Sequence, residues 1–410
     1  MRNKINVLII SQYFPPDFGG AASRAEEMIK ALSESSCSIR VLTAVPHLPN
    51  GNKHVRKAFL LNNDSNLNEV IRVWMPPFAT EGILRRLLLW IWFAIFSLIT
   101  SVVILRKRVD VILCVSPNYF SFFTGFFLKH LKFHKAKLVH DIVDIWPDAI
   151  LYAGYTGVSP FKKIIEYFFL PTYRFSDYLI TLTPSMKNIL QSRSSLPSHK
   201  IFILQNPVYF PDKKLSKKYD LPFKPEDKKV VAYVGRLSTY YDFDVMLEAA
   251  KFFGDKDGRI MFYMIGEGEK GDYIEHKIRD MQLSNFVLIR RVIPKNYMLE
   301  YLEFADMLVI PLKQGFGSIG FPSKLPEYLA SGRPVVVCAD GYVGKIAKSI
   351  PNAFSFPPNA QLLCNFISMY FDNVSSYKAD RALDKQLYDS FNFNHFSQKL
   401  IEIVEQVTKV

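Results

Sequence analysis

Short runs of apolar, mostly β-branched residues recur along the chain, and helix-like stretches separate them. This alternation is typical of a parallel β-sheet covered by crossover helices, because parallel strands are buried on both faces. In the first half, the predicted strands cover residues 7–10, 40–44, 70–74, 109–115, 137–140 and 178–182. The pattern restarts at residues 230–235 and continues at 260–265, 286–289, 307–310 and 334–338. The chain is therefore predicted to be an α/β protein with two sheets in series.

The break between the two predicted sheets falls in residues 209–229, a stretch rich in Pro and Lys. A length of 410 residues also exceeds what one hydrophobic core usually supports. We predict a first domain at residues 1–206, a second at 207–390 and a final helical segment at 391–410. Open parallel sheets bind ligands at the carboxyl ends of their strands, so we expect function in a cleft between the domains.

The composition limits the partners and the compartment. A formal charge of +13 favours anionic partners, and nucleotide diphosphates, lipid headgroups and nucleic acid would all fit. The four cysteines are widely spaced without a metal-ligand pattern, which favours a reducing compartment. The apolar run at residues 5–10 leads into Ser-Gln-Tyr-Phe-Pro-Pro rather than a cleavage site, so it is predicted as a first strand and not a secretory signal.

Residues 87–105 form an uncharged apolar segment that is long enough to cross a bilayer. Basic residues flank it on both sides, within residues 85–108, so no positive-inside asymmetry is present, and the next strand begins at once. We favour a helix that lies on or dips into one leaflet, with aromatic side chains in the interface and basic ends on anionic headgroups. A buried crossover helix and a true span are the alternatives.

The strongest motif covers residues 315–336, where a Gly-rich loop enters a short helix and a Gly-Arg-Pro turn leads into a strand. The start of such a helix presents free N–H groups, which suit a diphosphate. These residues resemble the family-4 retaining glycosyltransferases, particularly the branch that builds cell-surface polysaccharides (O-antigen, capsule) and carries Pro-Ser-Lys-x-x-Glu-Tyr. The resemblance implies the GT-B fold, with two Rossmann-like domains facing across a cleft. It also implies that Glu327 binds the ribose hydroxyls of a nucleotide-sugar donor, in a loop with Phe321, Ser323 and Lys324.

The sequence departs from the family pattern at two positions. The wider family has a second Glu eight residues before the first, touching the donor sugar, and this chain has Ile319 there. A deoxy sugar lacking the contacted hydroxyl, or a backbone contact, would account for the change. The Gly-Arg-Leu turn at 235–237 implies that Arg236 reaches the diphosphate. The Lys usual five residues later is Tyr241, and Lys324 is the candidate to supply that charge.

Two glycine-containing turns complete the predicted donor site. Gly266 opens a Gly-x-Gly-x-x-Gly run after a strand, a pattern also seen in dinucleotide folds, although Arg290 and Arg291 stand where an acidic ribose ligand would be. The same turn occurs in the glycosyltransferase family. Gly20, in a Gly-Gly loop before the first helix, corresponds to the family loop that faces the donor phosphates and acceptor, with a plain strand-to-helix turn as the alternative.

The catalytic candidates are Asp144 and His140, in a run that ends a first-domain strand and resembles the Asp-x-Trp-Pro element of the polysaccharide branch. His140 aligns with the family histidine only if the His-Asp pair is matched, and a core role is equally compatible. Asp242 and Asp244 mimic an Asp-x-Asp metal motif but sit at a predicted helix start, where a carboxylate caps the helix. No metal or cofactor is expected.

The resemblance implies retaining transfer from a nucleotide-diphosphate-sugar, predicted to be UDP-linked with a deoxy or N-acetylated sugar, to a hydroxyl acceptor. In this family the C-terminal helix returns to the first domain. From the basic, apolar segment 85–108 we expect a lipid-linked saccharide acceptor, no nucleic acid, and a cytoplasmic protein bound peripherally to the inner membrane face. A GT-B nucleotide-sugar epimerase and a non-catalytic sugar-binding partner of an assembly complex are the alternatives.

Overall fold

The computed structural model describes residues 4–17, 19–46, 61–62, 69–76, 83–152, 162–208, 221–256, 258–294, 297–373 and 391–409. The chain divides into two compact units. The first consists of Met1–Pro147, Ser159–Pro207 and Asn392–Val410, and the second of Asp148–Val158 and Val208–Phe391.

The described part of the first unit contains an eight-stranded sheet in the order β3-β4-β2-β1-β5-β6-β7-β8. Its strands are β1 (Ile5–Ile10), β2 (Cys37–Ala44), β3 (Leu61–Asn62), β4 (Glu69–Val73), β5 (Val111–Val115), β6 (Lys137–Ile142), β7 (Tyr178–Thr181) and β8 (Ile201–Ile203). All neighbouring strands run parallel except the antiparallel pair β3 and β4.

Helices cover both faces of this sheet. They are α1 (Gly20–Ser33), α2 (Ile83–Ile104), α3 (Ser121–Leu131), α5 (Lys162–Arg174), α6 (Pro184–Ser194) and the C-terminal helix α13 (Phe393–Thr408), while α4 (Asp148–Tyr152) is grouped with the second unit. Side chains of β1 alternate between two cores because successive residues of a strand face opposite sides. Val7 and Ile9 pack with α1 and α13, whereas Leu8 and Ile10 pack with α2 and α3.

Helix α2 has one packed face and one exposed apolar face. Trp90 and Phe93 are buried against the unit, but Leu88, Ile95, Ile99 and Val103 are between 51% and 67% exposed. An ordinary crossover helix would leave its polar side in water, so the interpretation of α2 as a wholly buried helix does not hold. Within the described residues, Arg85–Ile104 is the one helix long and apolar enough to cross a membrane, by length and composition.

The second unit is built around a six-stranded parallel sheet in the order β11-β10-β9-β12-β13-β14. Its strands are β9 (Lys229–Val234), β10 (Ile260–Gly266), β11 (Phe286–Arg290), β12 (Met307–Pro311), β13 (Val335–Cys338) and β14 (Ala353–Phe356). Its further described helices are α7 (Asp244–Lys256), α8 (Gly271–Asp280), α9 (Met298–Phe304), α10 (Lys324–Ala330), α11 (Gly341–Lys348) and α12 (Ala360–Asp372). Apart from the exposed Lys229 at the start of β9, the residues of the central strands β10, β9 and β12 are buried.

The predicted fold class, two Rossmann-like α/β units, is confirmed. The described units differ from the predicted ranges by one residue at Pro207 and at Phe391, and more clearly at α4, which the sequence places in the first domain and which groups with the second unit. The physical reason is a close contact, because the Tyr152 ring lies directly against the Cα of Gly315. Most of the predicted connection, residues 209–220, lies outside the described residues.

Candidate functional site

Two backbone turns cross at the carboxyl ends of β9 and β10. A Cβ added to Gly266 would lie 1.8 Å from the carbonyl oxygen of Gly235, so no other residue fits at position 266. Gly235 itself has a φ of 131°, which L side chains rarely adopt. The Gly-Arg-Leu turn and the Gly-x-Gly turn therefore form one close-packed backbone platform within the second unit.

Lys324 lies on this platform. A Cβ added to Gly235 would be 2.5 Å from the Lys324 Cε and 3.0 Å from its Nζ. The Nζ donates to the Tyr241 hydroxyl at 3.4 Å and lies 4.9 Å from the Tyr241 ring centroid and 5.3 Å from that of Tyr233. Lys324 is only 8% exposed, and no carboxylate pairs with it among the residues that the structure describes. Because a buried charge is costly without an ionic partner, this ammonium favours an anionic ligand.

Helix α10 is fixed to the end of β9 by Tyr328. Its hydroxyl donates to the Val234 carbonyl at 2.9 Å and accepts from the Val234 N–H at 2.7 Å. Burial raises the pKa of Tyr328 well above its ordinary value, so the phenol stays protonated. The neighbouring Glu327 is half-buried in the first turn of this seven-residue helix. Tyr328 thus holds Glu327 and Lys324 at the same strand end, and Ser323 stands half-buried at the N-cap without a side-chain capping bond.

Arg236 extends from the platform into solvent. Its Nη2 donates to Glu269 Oε1 at 2.8 Å, and its side chain is 46% exposed. An exposed pair of this kind contributes little to stability, which leaves the guanidinium able to exchange partners. Arg236, which follows β9, and Gly266, which ends β10, lie with Lys324 at the carboxyl edge of the sheet. The sequence predicts this grouping.

The Gly-rich loop before α10 is held by Asp340, which the sequence analysis did not single out. Asp340 Oδ2 accepts a hydrogen bond from the Gly315 N–H at 2.8 Å. Ile319 is 6% exposed, so an apolar side chain packs where the wider family carries a carboxylate. The Phe321 ring stacks on Phe391 with a centroid distance of 6.1 Å. Phe321 is accordingly buried, so a ligand at this position would contact its backbone and not its ring.

Asp242 and Asp244 have contacts that explain them without a metal ion. The Asp242 carboxylate accepts a hydrogen bond from the backbone of Asp244, the first residue of α7, and burial raises its pKa. Asp244 accepts from the Tyr273 hydroxyl at 2.8 Å through both oxygens. The predicted capping role fits the contact of Asp242, whereas the contact of Asp244 is with Tyr273.

In the first unit, Gly20 is the first residue of α1 and is exposed. A Cβ added there would meet no atom within 4 Å, so the space beside it is open among the described residues. The preceding Gly19 has a φ of 123° and is the position where the turn requires glycine.

His140 lies inside the first unit with no exposed surface. The rings of Tyr119 and Phe122 surround it at centroid distances of 5.4 and 5.5 Å, and its Nδ1 lies 3.3 Å from the Thr172 carbonyl oxygen. Burial lowers its pKa to about 3, so the imidazole is neutral. The structure thus places His140 in the core and not at a surface that a ligand reaches.

Asp144 is half-buried beyond the end of β6. Burial raises the pKa of its carboxyl from 3.8 to about 6. The Tyr119 hydroxyl donates to its backbone carbonyl, and the Tyr173 hydroxyl bonds to both the N–H and the carbonyl of Trp146. An aromatic scaffold therefore fixes the Asp144–Trp146 segment, and a perturbed carboxyl of this kind is typical of functional sites.

Next to His140, Asp141 forms a buried ion pair that sequence reasoning missed. Arg24 of α1 donates to both carboxylate oxygens at 2.6 Å, and also to Asn206 Oδ1 at 2.6 Å. The only signal in the sequence was an Arg on the otherwise apolar side of a predicted helix. This pair ties α1, which begins at Gly20, to β6.

Two family models match the chain. The model described as Glycosyltransferase Family 4 matches residues 18–209, and the model described as Glycosyl transferases group 1 matches residues 218–375. The first covers most of the described first unit and the second covers the platform, the Gly-rich loop and α10.

Among curated proteins, the chain is similar to the putative colanic acid biosynthesis glycosyl transferase WcaI of Escherichia coli K12. The two are 23% identical over 93% of this chain and 97% of that protein. Among solved structures, sucrose-phosphate synthase from Thermosynechococcus elongatus has a TM-score of 0.76 and 15% identity over 98% of this chain and 99% of its own. Anabaena HepE, solved in complex with UDP and glucose, has a TM-score of 0.65 and 13% identity over 98% and 100%.

Proposed function

The chain is a glycosyltransferase with the GT-B fold, and we propose that it moves a sugar, with retention at the anomeric carbon, from a nucleoside diphosphate donor to a lipid-linked saccharide. The proposed setting is the assembly of a cell-surface polysaccharide, such as O-antigen or capsule. The similarity to WcaI, whose name refers to colanic acid biosynthesis, supports that setting.

The observation that carries the proposal is the burial of Lys324 on the backbone platform of Gly235. A desolvated ammonium attracts an anion more strongly than an exposed one, because the local dielectric constant is low. We propose that Lys324 binds the donor diphosphate. It would then supply the positive charge that the family's lysine provides at the position of Tyr241. Arg236 joins Lys324 by exchanging Glu269 for a phosphate oxygen. Gly266 lets the two turns of the platform pack closely, and Gly20 leaves space for the diphosphate to approach backbone groups.

We assign the ribose hydroxyls to Glu327, which Tyr328 anchors beside Lys324. A carboxylate accepts hydrogen bonds from both hydroxyls of a ribose. The proposed base is uracil, in keeping with the UDP in the HepE complex. The sugar ring is assigned to the Gly-rich loop, with Ser323 and the backbone of Phe321 at its edge.

The apolar Ile319 bears on the sugar that is transferred. The Ile319 side chain cannot accept a hydrogen bond, so a sugar hydroxyl at that position would lose a partner on binding unless a backbone group of the loop replaces it. We therefore propose a deoxy or N-acetylated donor sugar.

For the chemistry, we propose a metal-free transfer in which the protein positions both substrates and stabilises the departing diphosphate through Lys324 and Arg236. Asp144 is the proposed catalytic carboxyl of the first unit. Since His140 is buried in the core, we propose that it supports the Asp144 segment instead of contacting substrate.

The acceptor is proposed to be membrane-bound because of the exposed face of α2. Large apolar side chains line this face, and between Arg85 and Lys137 nine Lys or Arg residues accompany a single acidic residue, Asp110. Apolar insertion combined with basic residues is the pattern of peripheral binding to anionic lipid. We propose a cytoplasmic enzyme that docks on the inner face of the cell membrane through α2.

The test is a panel of UDP-, GDP- and dTDP-sugars with a crude lipid-linked acceptor, scored for release of nucleoside diphosphate. We expect turnover with a UDP-sugar, and Glu327→Ala should weaken binding of that donor at least about tenfold through loss of two charge-assisted bonds. Glu303→Ala, an exposed carboxylate of the same unit, is the matched control. Undiminished donor binding by Glu327→Ala contradicts the ribose assignment, and isomerisation of free donor without acceptor would make the protein an epimerase.

A further inference from the structure

A cavity of about 260 Å³ opens in the first unit beside the Asp144–Trp146 segment. Its lining includes Trp146, the α5 residues Glu166 and Tyr173, and two arginines near helix ends, Arg174 of α5 and Arg193 of α6. Its volume is below the range of about 300–1,000 Å³ that encloses drug-sized ligands. The cavity therefore suits one small group of a larger molecule.

Two guanidinium groups give this cavity its charge. Arg174 Nε donates to the Arg193 carbonyl at 3.3 Å, and Arg193 Nη1 donates to the Trp146 carbonyl at 3.4 Å. Among the residues that the structure describes, no carboxylate lies within ion-pair distance of Arg174. The lining contains Arg174 and Arg193 and one acidic residue, Glu166.

Trp146 supplies an independent sign of a missing ligand. Its indole N–H is buried and has no hydrogen-bond partner among the described residues. A buried donor left without an acceptor costs free energy, and such groups usually pair with water, an ion or a ligand. An indole N–H can only donate, so the missing partner must be an acceptor.

Exposed aromatic side chains lie on α5 and directly after Arg174, its last residue. Phe168 and Phe175, on α5 and just beyond its end, are 60% and 59% exposed. The Phe175 ring lies 5.9 Å from that of Phe126 on α3, whose neighbour Phe127 is also exposed. At the end of α3, Lys132 Nζ donates to the Val102 carbonyl of α2 at 2.7 Å. Phe175, Phe126 and Phe127 therefore form one cluster of aromatic rings that joins the end of α5 to α3.

From these features we infer that the cavity binds the phosphate group of a lipid-linked acceptor, with the lipid chain along Phe175 and Phe127. Arginine suits this role because its planar fork bonds two phosphate oxygens at once. The site lies within the first unit, and the platform of Lys324 belongs to the second. This inference rests on the lipid-linked acceptor in the proposed function and specifies which residues hold it.

The test measures binding of farnesyl diphosphate to the full chain in detergent-free buffer, with saturating UDP present to occupy the second unit. Farnesol and inorganic diphosphate are the comparison probes. We expect farnesyl diphosphate to bind more tightly than either, and Arg174→Gln to weaken it about tenfold, the loss of one charge-assisted contact. Arg174→Lys should recover part of the affinity, and Lys163→Gln, which removes a charge from the exposed side of the same helix, should leave it unchanged.

If Arg174→Gln binds farnesyl diphosphate as tightly as the wild type does, the inference is wrong. UDP binding in the same sample would show that the variant is folded, and the proposal for the donor site would not be affected. A second measurement separates acceptor phosphate from lipid headgroups. Vesicles containing phosphatidylglycerol should bind Arg174→Gln as they bind the wild type. A parallel loss of vesicle binding would assign the cavity to headgroups and contradict the acceptor site.

Discussion

At the scale of single residues, the two units rely on buried charge in different ways. Lys324 is buried beside aromatic rings without a carboxylate, and we propose that substrate supplies its counter-charge. Arg24 and Asp141 are buried as a pair whose hydrogen bonds are satisfied within the protein. The first arrangement is typical of a binding site, and the second of a structural tie.

Asp144 provides a prediction about pH. Its pKa is about 6 in the folded protein against 3.8 for an unperturbed carboxyl. The folded state therefore binds this proton more tightly, so the contribution to stability is present below the unfolded pKa and is lost as pH rises through about 6. We expect the free energy of unfolding to fall by about 2 kcal/mol between pH 4 and pH 7 from this group.

Urea unfolding of the wild type and of Asp144→Asn at several pH values measures that contribution. The variant should lack this fall, since an amide does not titrate, and should be the more stable protein at pH 7. Asp227→Asn, an exposed carboxyl, is the control and should follow the wild type. Identical pH profiles of the wild type and Asp144→Asn would show that Asp144 is not perturbed.

Some residue-level features could not be predicted from the sequence. The partner of Arg24 is 117 positions away in the chain, and only the fold brings the two together. His140 could be a core residue or a catalytic one, because a strand end does not reveal whether the next helix covers it. Tyr328 was part of the recognised motif, but its double hydrogen bond to Val234 depends on how α10 meets β9.

At the scale of elements, the strands were predicted well where they are buried on both sides. Such strands are continuous apolar runs rich in Val, as in β9 and β13, and the run itself is the signal. Strand β3 has two residues, and β14 contains a serine among its four, so neither forms a recognisable run. Both lie at the edges of their sheets, where the chain needs less apolar surface.

Helix α2 gives the element-level prediction. We expect Ile95→Gln, Ile99→Gln and Val103→Gln together to reduce binding to anionic vesicles at least about 100-fold, because each side chain contributes up to about 1.5–3 kcal/mol when it leaves water. Co-sedimentation with phosphatidylglycerol vesicles measures this.

The matched control replaces Leu362 and Met369, exposed apolar residues of α12 in the second unit, with Gln. It should sediment as the wild type does. If the α2 variant also sediments like the wild type, the protein does not dock through this helix.

At the scale of the whole molecule, the first unit includes α13, which follows the second unit in sequence. Leu400 and Val404 of α13 are buried in the same core as α1 and the odd-numbered residues of β1. The first unit therefore depends on residues that follow the whole of the second in sequence, although each sheet has its own core.

This arrangement predicts a separation of stability from donor binding. Leu400→Ala should destabilise the protein by about 2–5 kcal/mol through the cavity it leaves, as measured by urea unfolding. Affinity for the donor nucleotide, measured under native conditions, should change less than about twofold, because every residue assigned to the nucleotide except Gly20 lies in the second unit. A nucleotide affinity that falls together with stability would show that the first unit supplies much of the binding energy.

The most direct test of the account is the affinity of Lys324→Met for UDP compared with UMP, measured by titration calorimetry. The wild type should bind UDP more tightly than UMP, because the second phosphate meets the buried ammonium. Lys324→Met should lose at least about tenfold in UDP affinity and most of this preference. Lys348→Met, an exposed lysine of the same unit, should behave as the wild type. A variant at position 324 that keeps the full preference for UDP would contradict the assignment of Lys324 to the donor diphosphate.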